Sequence, residues 1–477
     1  MRGIPTVSIE KHLVFGLGLT ALAGAVIGLT SPSSHMALPV LFGLISLAAV
    51  KWAVRTRPLR WFDPLVWMVL PLSVMFVARP LALLAAGQLF YRGYDLSHSF
   101  DQVMLIAVGG LVALCGGYAA SWPASIARRT RPVAANCDEA KMTTSAYVLV
   151  MLGAAGYAVF AAKSGLSPAA FLSQGIPQGQ SGGSQGSTAY FYLAPLFILP
   201  ATLLLLHAGL RRHSASLLGL SATLLVVMLA AFAPTGSRFE TLMFAGAYLI
   251  YPLISYDWRP PVWLVVLGLC VVLIFVQATA GASSGVQSVH NPSLGRAIAD
   301  TVEHPARSAE QLVLGPTIEM FDGLGVEAQV VPSELGYHPL TSLTTVLAAP
   351  VPRSVWGSKP YVAEAKIDAA AFGVTAGSAS VAFSVLGGFY YDSGAIGVLL
   401  GMALIGALLR FISEYLSLYR SSAIGRLMLS ATLPLVLVLA RGTLSSTLAQ
   451  AIFVVAPIPV VGAVAAIQIT RSGSRAA

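Results

Sequence analysis

A short segment from Pro352 to Pro360 carries side chains that suit contact with a phosphorylated sugar. Arg353 and Lys359 stand six residues apart, and Trp356 lies between them. Arginine presents a planar fork of donors that matches phosphate oxygens. An indole ring stacks on a sugar face or anchors at a membrane surface. The pattern therefore indicates either a substrate-binding segment or an amphipathic loop that rests on lipid headgroups.

Two further arginines stand at the ends of apolar segments. Arg238 begins one such segment, and Arg441 lies between two others, directly before Gly442. A charge at the membrane boundary is costly, so an ionisable residue there is by default a functional-site hypothesis. Both arginines favour a diphosphate clamp, because a guanidinium group binds phosphate in bidentate geometry. The alternatives are an interfacial anchor, or a local pair of Arg238 with Glu240.

Candidate general bases toward a sugar hydroxyl come from the polar segment that contains Pro352 to Pro360. Glu319 and Asp322 are three residues apart, which places both on one face of a helix. Together with His338 they are the predicted general bases. The same segment carries other acids and histidines that could act as the base, although for each of them a solvated position in a loop is the more common role: His290, His304, Glu334, Glu364 and Asp368.

Metal and nucleotide motifs are missing from the sequence. It contains no His-x-x-x-His, no Asp-x-Asp pair and no Glu-rich cluster, so we predict no metal site. Walker and dinucleotide fingerprints are also absent, so we predict no cofactor. Cys115, Cys137 and Cys270 form no disulfide or metal-ligand pattern.

Composition assigns the chain to the membrane. Of its 477 residues 56% are hydrophobic and only 10% are charged, against about a quarter in globular proteins. Its apolar stretches have the length of about 20 residues that a helix needs to cross a bilayer. We therefore predict an all-α polytopic protein. The net charge of +9 reflects basic cytoplasmic loops rather than nucleic-acid binding.

About twelve transmembrane helices fit the hydropathy pattern. They lie near 13–30, 37–54, 64–86, 102–122, 144–163, 189–207, 215–233, 239–256, 261–280, 394–412, 426–440 and 447–468. The first is interpreted as a retained helix rather than a signal peptide. Arg79-Pro80 indicates a break or a helix end inside the third.

The distribution of basic residues predicts the topology. An N-terminus on the cytoplasmic side sends most of the 28 Lys and Arg residues to that side, as the positive-inside rule requires. Both termini are then cytoplasmic. The predicted organisation is a membrane domain at 1–280 with nine spans, a large extracytoplasmic loop at 281–392, and a membrane domain at 393–477 with three spans.

Four motifs in the same order resemble bacterial O-antigen and exopolysaccharide repeat-unit polymerases. The segment Pro352 to Pro360 resembles the "iPRslwpdKP"-type signature in the outward loop of that family. The segment Gly387 to Gly397 is similar to the "gefYxnfGxiG" stretch that opens its next span. Thr235 to Arg238 resembles its "SR" turn, and Ala440 to Gly442 resembles its late "RG". Asp392-Ser393 departs from the family's Asn-Phe, and its paired arginine-x10-glycine loops have no counterpart here.

The resemblance implies a metal-independent membrane glycosyltransferase that polymerises polyprenyl-diphosphate-linked oligosaccharide repeat units into surface polysaccharide. It implies an extracytoplasmic active site in the bacterial inner membrane. Carried over, Arg238, Arg353 and Arg441 bind the diphosphate, with Lys359 and Trp356 as further substrate contacts. The implied partners are the lipid-linked donor and acceptor, the bilayer, and possible chain-length regulator and flippase proteins.

Two alternatives remain open at the level of the sequence. A ligase that transfers finished glycan to another acceptor would share the arginines and differ only in its acceptor. A lipid-linked oligosaccharide flippase or other transporter should show similar halves and charged residues in mid-membrane.

Overall fold

The structure is a computed structural model that describes residues 34–131, 137–164, 191, 193–232, 238–256, 303–304, 310, 313–315, 318–348, 351, 356–357, 359, 362–373 and 383–473. Arg353 and the predicted spans at 13–30 and 261–280 lie outside these residues. In chain order the helices are α1 (Ala37–Thr56), α2 (Pro64–Ala86), α3 (Phe100–Ala119), α4 (Trp122–Arg129), α5 (Glu139–Ser164), α6 (Ala194–Arg212), α7 (Ala215–Phe232), α8 (Arg238–Ser255), α9 (Met320–Val330), α10 (Thr341–Ala348), α11 (Ala363–Phe372), α12 (Val385–Tyr419), α13 (Ala423–Arg441), α14 (Leu444–Val454) and α15 (Pro457–Gly473). A hairpin of β1 (Phe90–Tyr91) and β2 (Tyr94–Asp95) joins α2 to α3.

Nine helices among the described residues are long and apolar enough to cross a membrane. They are α1, α2, α3, α5, α6, α7, α12, α13 and the stretch Leu444–Ala466 of α14 and α15. Each coincides with a predicted span, so the chain is an all-α polytopic membrane protein. The predicted span at 239–256 is also helical, as α8, which carries Arg238 and Glu240 in its first turn.

The third predicted span does not end at Arg79-Pro80. A π-helical turn at Val74–Ala78 precedes Pro80, and the helix then continues to Ala86. Proline lacks an N–H group and clashes with the preceding turn, and a local π-helical adjustment accommodates both effects. Of the two alternatives that the sequence left open, a break and a helix end, the structure shows the break.

Helix α12 is sharply bent at Ser393 and Gly394. Gly394 has φ +61° and ψ −145°, a conformation that side chains with a Cβ rarely adopt. In a straight helix Phe389 and Gly401 would stand about 18 Å apart along the axis. Instead, a Cβ added at Gly401 would collide with the Phe389 ring. The first part, Val385 to Asp392, therefore folds back against the longer part of α12.

The bent helix packs closely on α3 through glycines. A Cβ at Gly117 would collide with the carbonyl group of Ala403, and a Cβ at Gly406 would collide with that of Leu114. Lipid tails are as apolar as leucine, so membrane helices associate through close backbone contact at small residues. This crossing joins an early span to a late one and lies in the largest apolar core of the described residues.

Several basic residues lie at one end of the bundle. Arg128 of α4 donates to Glu414 of α12 at 2.8 Å, and Arg420 donates to the Pro58 carbonyl at 3.3 Å. The buried Asp63 binds the hydroxyl groups of residues from two other helices, Tyr118 at 2.7 Å and Ser413 at 2.6 Å. This end therefore contains the loops that the positive-inside rule assigns to the cytoplasm.

The opposite end is covered by the described part of the large inter-span segment. We call α9, α10 and α11 with their connections, residues 313–372, the cap. Gln329 of α9 donates to the Asp95 carbonyl at 2.9 Å, and Tyr94 donates to the Ala371 carbonyl at 3.0 Å. The α10 residue Ser342 donates from its hydroxyl to the Gly388 carbonyl at 3.0 Å. The cap is therefore bound to the hairpin and to the folded-back part of α12.

The α3–α12 crossing makes a prediction that compares two adjacent glycines. Gly117→Ala should destabilise the protein, because its Cβ meets the Ala403 backbone, which cannot move aside cheaply. We expect a loss of about 1–3 kcal/mol, measured as a lower melting temperature in detergent. Gly116→Ala is the matched control, since nothing lies within 4 Å of its added Cβ. An equal loss in both variants would contradict the close crossing.

Candidate functional site

The candidate site lies where the cap meets the outer ends of α12 and α13. Helix α13 ends at Arg441, and Gly442 follows in an extended conformation, which turns the chain into α14. Helices α9, α10 and α11 all contact the outer end of this bundle, and α10 lies against α14. This brings the turn at Arg441 to Thr443 next to polar side chains of the cap.

Glu319 is buried at the junction of the cap, the hairpin and this turn. Its carboxylate accepts a hydrogen bond of 2.7 Å from the Tyr91 hydroxyl, and its side chain is almost completely covered. Burial raises the pKa of Glu319, while the Tyr91 hydrogen bond and the charges of Arg92 and Arg441 lower it. The structure therefore brings two of the predicted site residues, Glu319 and Arg441, into electrostatic contact.

Asp322 forms a buried ion pair. Arg79 of α2 donates to both of its oxygens, at 2.9 and 3.3 Å, and both side chains are at most 5% exposed. The Nη1 atom of Arg79 donates to the carbonyls of Val313 and Gly315. Burial raises the pKa of Asp322 and Arg79 opposes this. Because its oxygens are occupied, Asp322 is placed to attach the cap rather than to accept a proton from a substrate.

His338 lies against the folded-back part of α12. Its backbone N–H donates to the Tyr391 carbonyl at 3.1 Å, and its ring stacks on the Tyr391 ring with centroids 5.1 Å apart. The side chain is half-buried. The neighbouring Asp392 of α12 also contacts the cap, since it accepts a hydrogen bond of 3.0 Å from the Ser342 N–H.

The remaining predicted substrate contacts are described only in part. Lys359 donates from Nζ to the Val351 carbonyl at 3.1 Å, so its ammonium group folds back on its own segment. Trp356 is 41% exposed. Arg238 begins α8, but its side chain lies outside the described part of the structure, as does all of Arg353. The arrangement of the four predicted cations relative to one another therefore lies outside the described residues.

Two further carboxyl groups stand out: Glu327, which the sequence did not single out, and Glu364, which it offered only as one of several acids in the polar segment. Glu327 of α9 is completely buried, and neither of its oxygens has a hydrogen-bond partner. It lies beneath the start of α12, where a Cβ at Gly387 would come within 2.5 Å of its Oε2 atom. Glu364 of α11 is half-buried and has one oxygen, Oε2, without a partner. The sequence signal for Glu327 was its position as the one acid between Gly323 and Val331, a mainly apolar run.

Burial controls the protonation of both groups. It raises the pKa of Glu327 well above its ordinary value, and the neighbouring Glu364 and Asp392 raise it further. Burial raises the pKa of Glu364 to about 7, against hydrogen bonds from its own backbone and from the Thr443 hydroxyl. Burial therefore favours the neutral form of Glu327, whereas Glu364 exists in both protonation states near neutral pH.

Within the described residues, no group of three or more His, Cys, Asp or Glu side chains is arranged to hold a metal ion. No model of a known protein family matches the chain, and no curated protein or solved structure matches it either.

The Arg79–Asp322 pair predicts a strong effect on stability. Removing either partner leaves a buried charge uncompensated, which costs about 3–5 kcal/mol. We expect Arg79→Ala and Asp322→Ala each to lower the melting temperature in detergent strongly. The double variant should lose less than the sum of the two, because neither charge then remains. Additive losses would contradict a direct pair. An Asp322→Ala variant that keeps full stability and loses only activity would instead support Asp322 as a general base.

The burial of Glu327 predicts a dependence of stability on pH. A carboxyl whose folded-state pKa is raised binds its proton more tightly in the folded protein, so stability falls as pH rises above about 4.3. Two neighbouring carboxyl groups, Glu364 of α11 and Asp392 of α12, raise the pKa of Glu327 further. Glu327→Gln mimics the neutral form. It should therefore match wild type at pH 5 and melt at a higher temperature at pH 8. A variant that is less stable at pH 8 would show that Glu327 is ionised.

Proposed function

We propose that this multi-pass membrane protein is a glycosyltransferase that polymerises polyprenyl-diphosphate-linked oligosaccharide repeat units into surface polysaccharide. The growing glycan is transferred en bloc from its lipid diphosphate to a hydroxyl group of a single lipid-linked unit. The active site is then on the extracytoplasmic face of the bacterial inner membrane, with both termini in the cytoplasm.

The observation that carries this proposal is the position of Arg441. It ends a membrane-spanning helix, at the end of the bundle opposite to the basic loops, and its charge acts on the buried Glu319 of the cap. A lipid-linked donor has its diphosphate at this depth, because the lipid tail lies in the bilayer and the sugars lie in water. Fixed cations at that level stabilise the negative charge that develops on the leaving diphosphate.

The cations near Glu319 support an anionic ligand. Arg79 is paired with Asp322 within the cap, and the charges of Arg92 and Arg441 both act on Glu319. A diphosphate bound near this turn adds negative charge next to these arginines, in surroundings where screening by water is weak. The resemblance of Arg238, Arg353 and Lys359 to family positions adds further cations to the proposed clamp.

The substitution Arg441→Ala should abolish the polymer, because it removes the cation next to the leaving group. Arg441→Lys should keep part of the activity, since an ammonium group keeps the charge and loses the bidentate fork. The measurement is a gel of surface glycans from cells that lack the gene and carry each variant at equal expression. Arg353→Ala is expected to behave like Arg441→Ala on the basis of the motif.

The control is Arg420→Ala, which removes an exposed cation at the opposite end of the bundle. It should leave the ladder unchanged. A wild-type ladder from a well-expressed Arg441→Ala variant would contradict the clamp. In cells that lack the gene, a collapse to one repeat unit on its acceptor supports a polymerase. Long glycan that remains on the polyprenyl carrier would instead indicate a ligase, and an unchanged ladder would exclude both enzymes.

A further inference from the structure

Helix α10 of the cap has polar side chains on its inner side and apolar side chains on its outer side. Thr341 and Thr345 are buried against the protein, whereas Leu343 and Leu347, one helical turn apart, are exposed. Leu340, directly before the helix, is exposed as well. A helix on the surface of a protein in water shows the opposite arrangement, with its apolar stripe toward the core. The outer side of α10 is therefore suited to apolar surroundings.

The hydroxyl groups of α10 do not require water. Each of the four donates to a carbonyl oxygen of the protein at 2.8 to 3.1 Å: Thr341, Ser342, Thr344 and Thr345. Between His338 and Arg353 the sequence contains no ionisable side chain. Polar groups are costly in hydrocarbon chiefly when they lack a hydrogen-bond partner. The side chains of this helix are therefore compatible with contact with lipid.

Helix α10 lies beside a membrane-spanning segment. A Cβ added at Gly388 would lie 3.5 Å from both the Ser342 hydroxyl and the Thr443 methyl group, so α10 begins close to the residue that precedes the span Leu444–Ala466. From there it packs against α14, the first part of that span. Its eight residues cover about 12 Å, whereas the hydrocarbon layer is about 30 Å thick. A helix of this length enters one leaflet without crossing the bilayer.

The turn that leads into α10 is held by α12. His338 donates from its backbone N–H to the Tyr391 carbonyl, and Ser342 donates from its N–H to the Asp392 carboxylate. Leu340 lies between these contacts with φ +64°, which is rare for a bulky side chain. A strained conformation persists only where the surrounding structure holds it, and such positions are enriched at functional sites. Here the strained turn is fixed on both sides, and it leaves a leucine exposed.

We propose that α10 inserts its exposed leucines among the lipid acyl chains of the membrane leaflet at the cap end of the bundle. The bilayer is the occupant because this surface continues from the exposed side of a span. Ile396 and Leu400 are exposed on α12, and apolar side chains in this position on a spanning helix face lipid. Tyr337 of the cap approaches α12 at Gly394, two residues before Ile396, and is itself exposed, as is typical of aromatic residues at a membrane surface. Part of the cap is thus embedded in the membrane, whatever reaction takes place there.

The test measures depth in the membrane on the full chain in lipid vesicles. A spin label is attached to a single cysteine in a variant whose three native cysteines are replaced. Collisions of the label are measured with oxygen, which concentrates in the bilayer, and with a nickel chelate, which stays in water. Leu347→Cys is the test position, and Leu400→Cys is the matched lipid control, because both leucines are 69% exposed. Glu334→Cys is the water control, since it is exposed in the cap turn before α10.

The label at Leu347 should show the high ratio of oxygen to chelate collisions that is measured at Leu400. A ratio as low as that at Glu334 would overturn the proposal, because α10 would then lie in water. Low collision rates with both reagents would also overturn it, since another segment of the chain or a second copy would then cover the leucines. Leu343→Cys repeats the measurement one turn earlier, in case the first label disturbs folding. Each variant is compared at a melting temperature equal to that of the cysteine-free parent.

Discussion

The buried guanidinium group of Arg79 constrains the outer half of this protein. An arginine inside an apolar bundle is costly unless its charge and its donors are matched. Here every acceptor recorded for it comes from one short stretch of the cap: the Asp322 carboxylate and the carbonyls of Val313 and Gly315. The cost of burying Arg79 is therefore offset only when the cap lies on the bundle. Folding of the cap and assembly of the span that carries Arg79 are thus coupled, and Glu319, three residues before Asp322, is fixed by the same contact.

The bend in α12 holds the cap from a second direction. Because Gly394 accepts a left-handed conformation, the helix reverses and returns Val385 to Asp392 against the cap. Gly387 then covers Glu327, and Asp392 accepts the Ser342 N–H at the start of α10. If α12 were straight, Gly387 and Asp392 would not lie against the cap. At the bend Gly394 is buried next to Tyr337 of the cap, whereas Ser393 is exposed. Irregular backbone at membrane depth is tolerated where protein buries it or where it lines a water-filled cavity.

Hydropathy predicted the spans because the bilayer imposes the length of each apolar helix on the sequence itself. Nine of the twelve predicted spans are therefore found as apolar helices among the described residues. Arg441 was recognised for a similar reason, since a cation at the end of a span is visible in the sequence. Long-range partners are not visible in this way. Arg79 and Asp322 are 243 positions apart, and only the folded chain shows that they pair. Glu327 was missed because a lone acid in an apolar run cannot be told from a solvent-exposed side chain by its sequence.

The distribution of charge at the two ends of the bundle connects topology to chemistry. At the basic end, cations meet carboxylates and carbonyls near the surface, where water makes each contact worth little. The positive-inside tendency removes most cations from the opposite end, so those that remain there need a local reason. For Arg79 this reason is its ion pair with Asp322, which attaches the cap. The charges of Arg441 and Arg92 both act on the buried carboxyl of Glu319. Under the proposed function, a cation fixed at the outer end of a span would stabilise the negative charge that develops on a leaving lipid diphosphate.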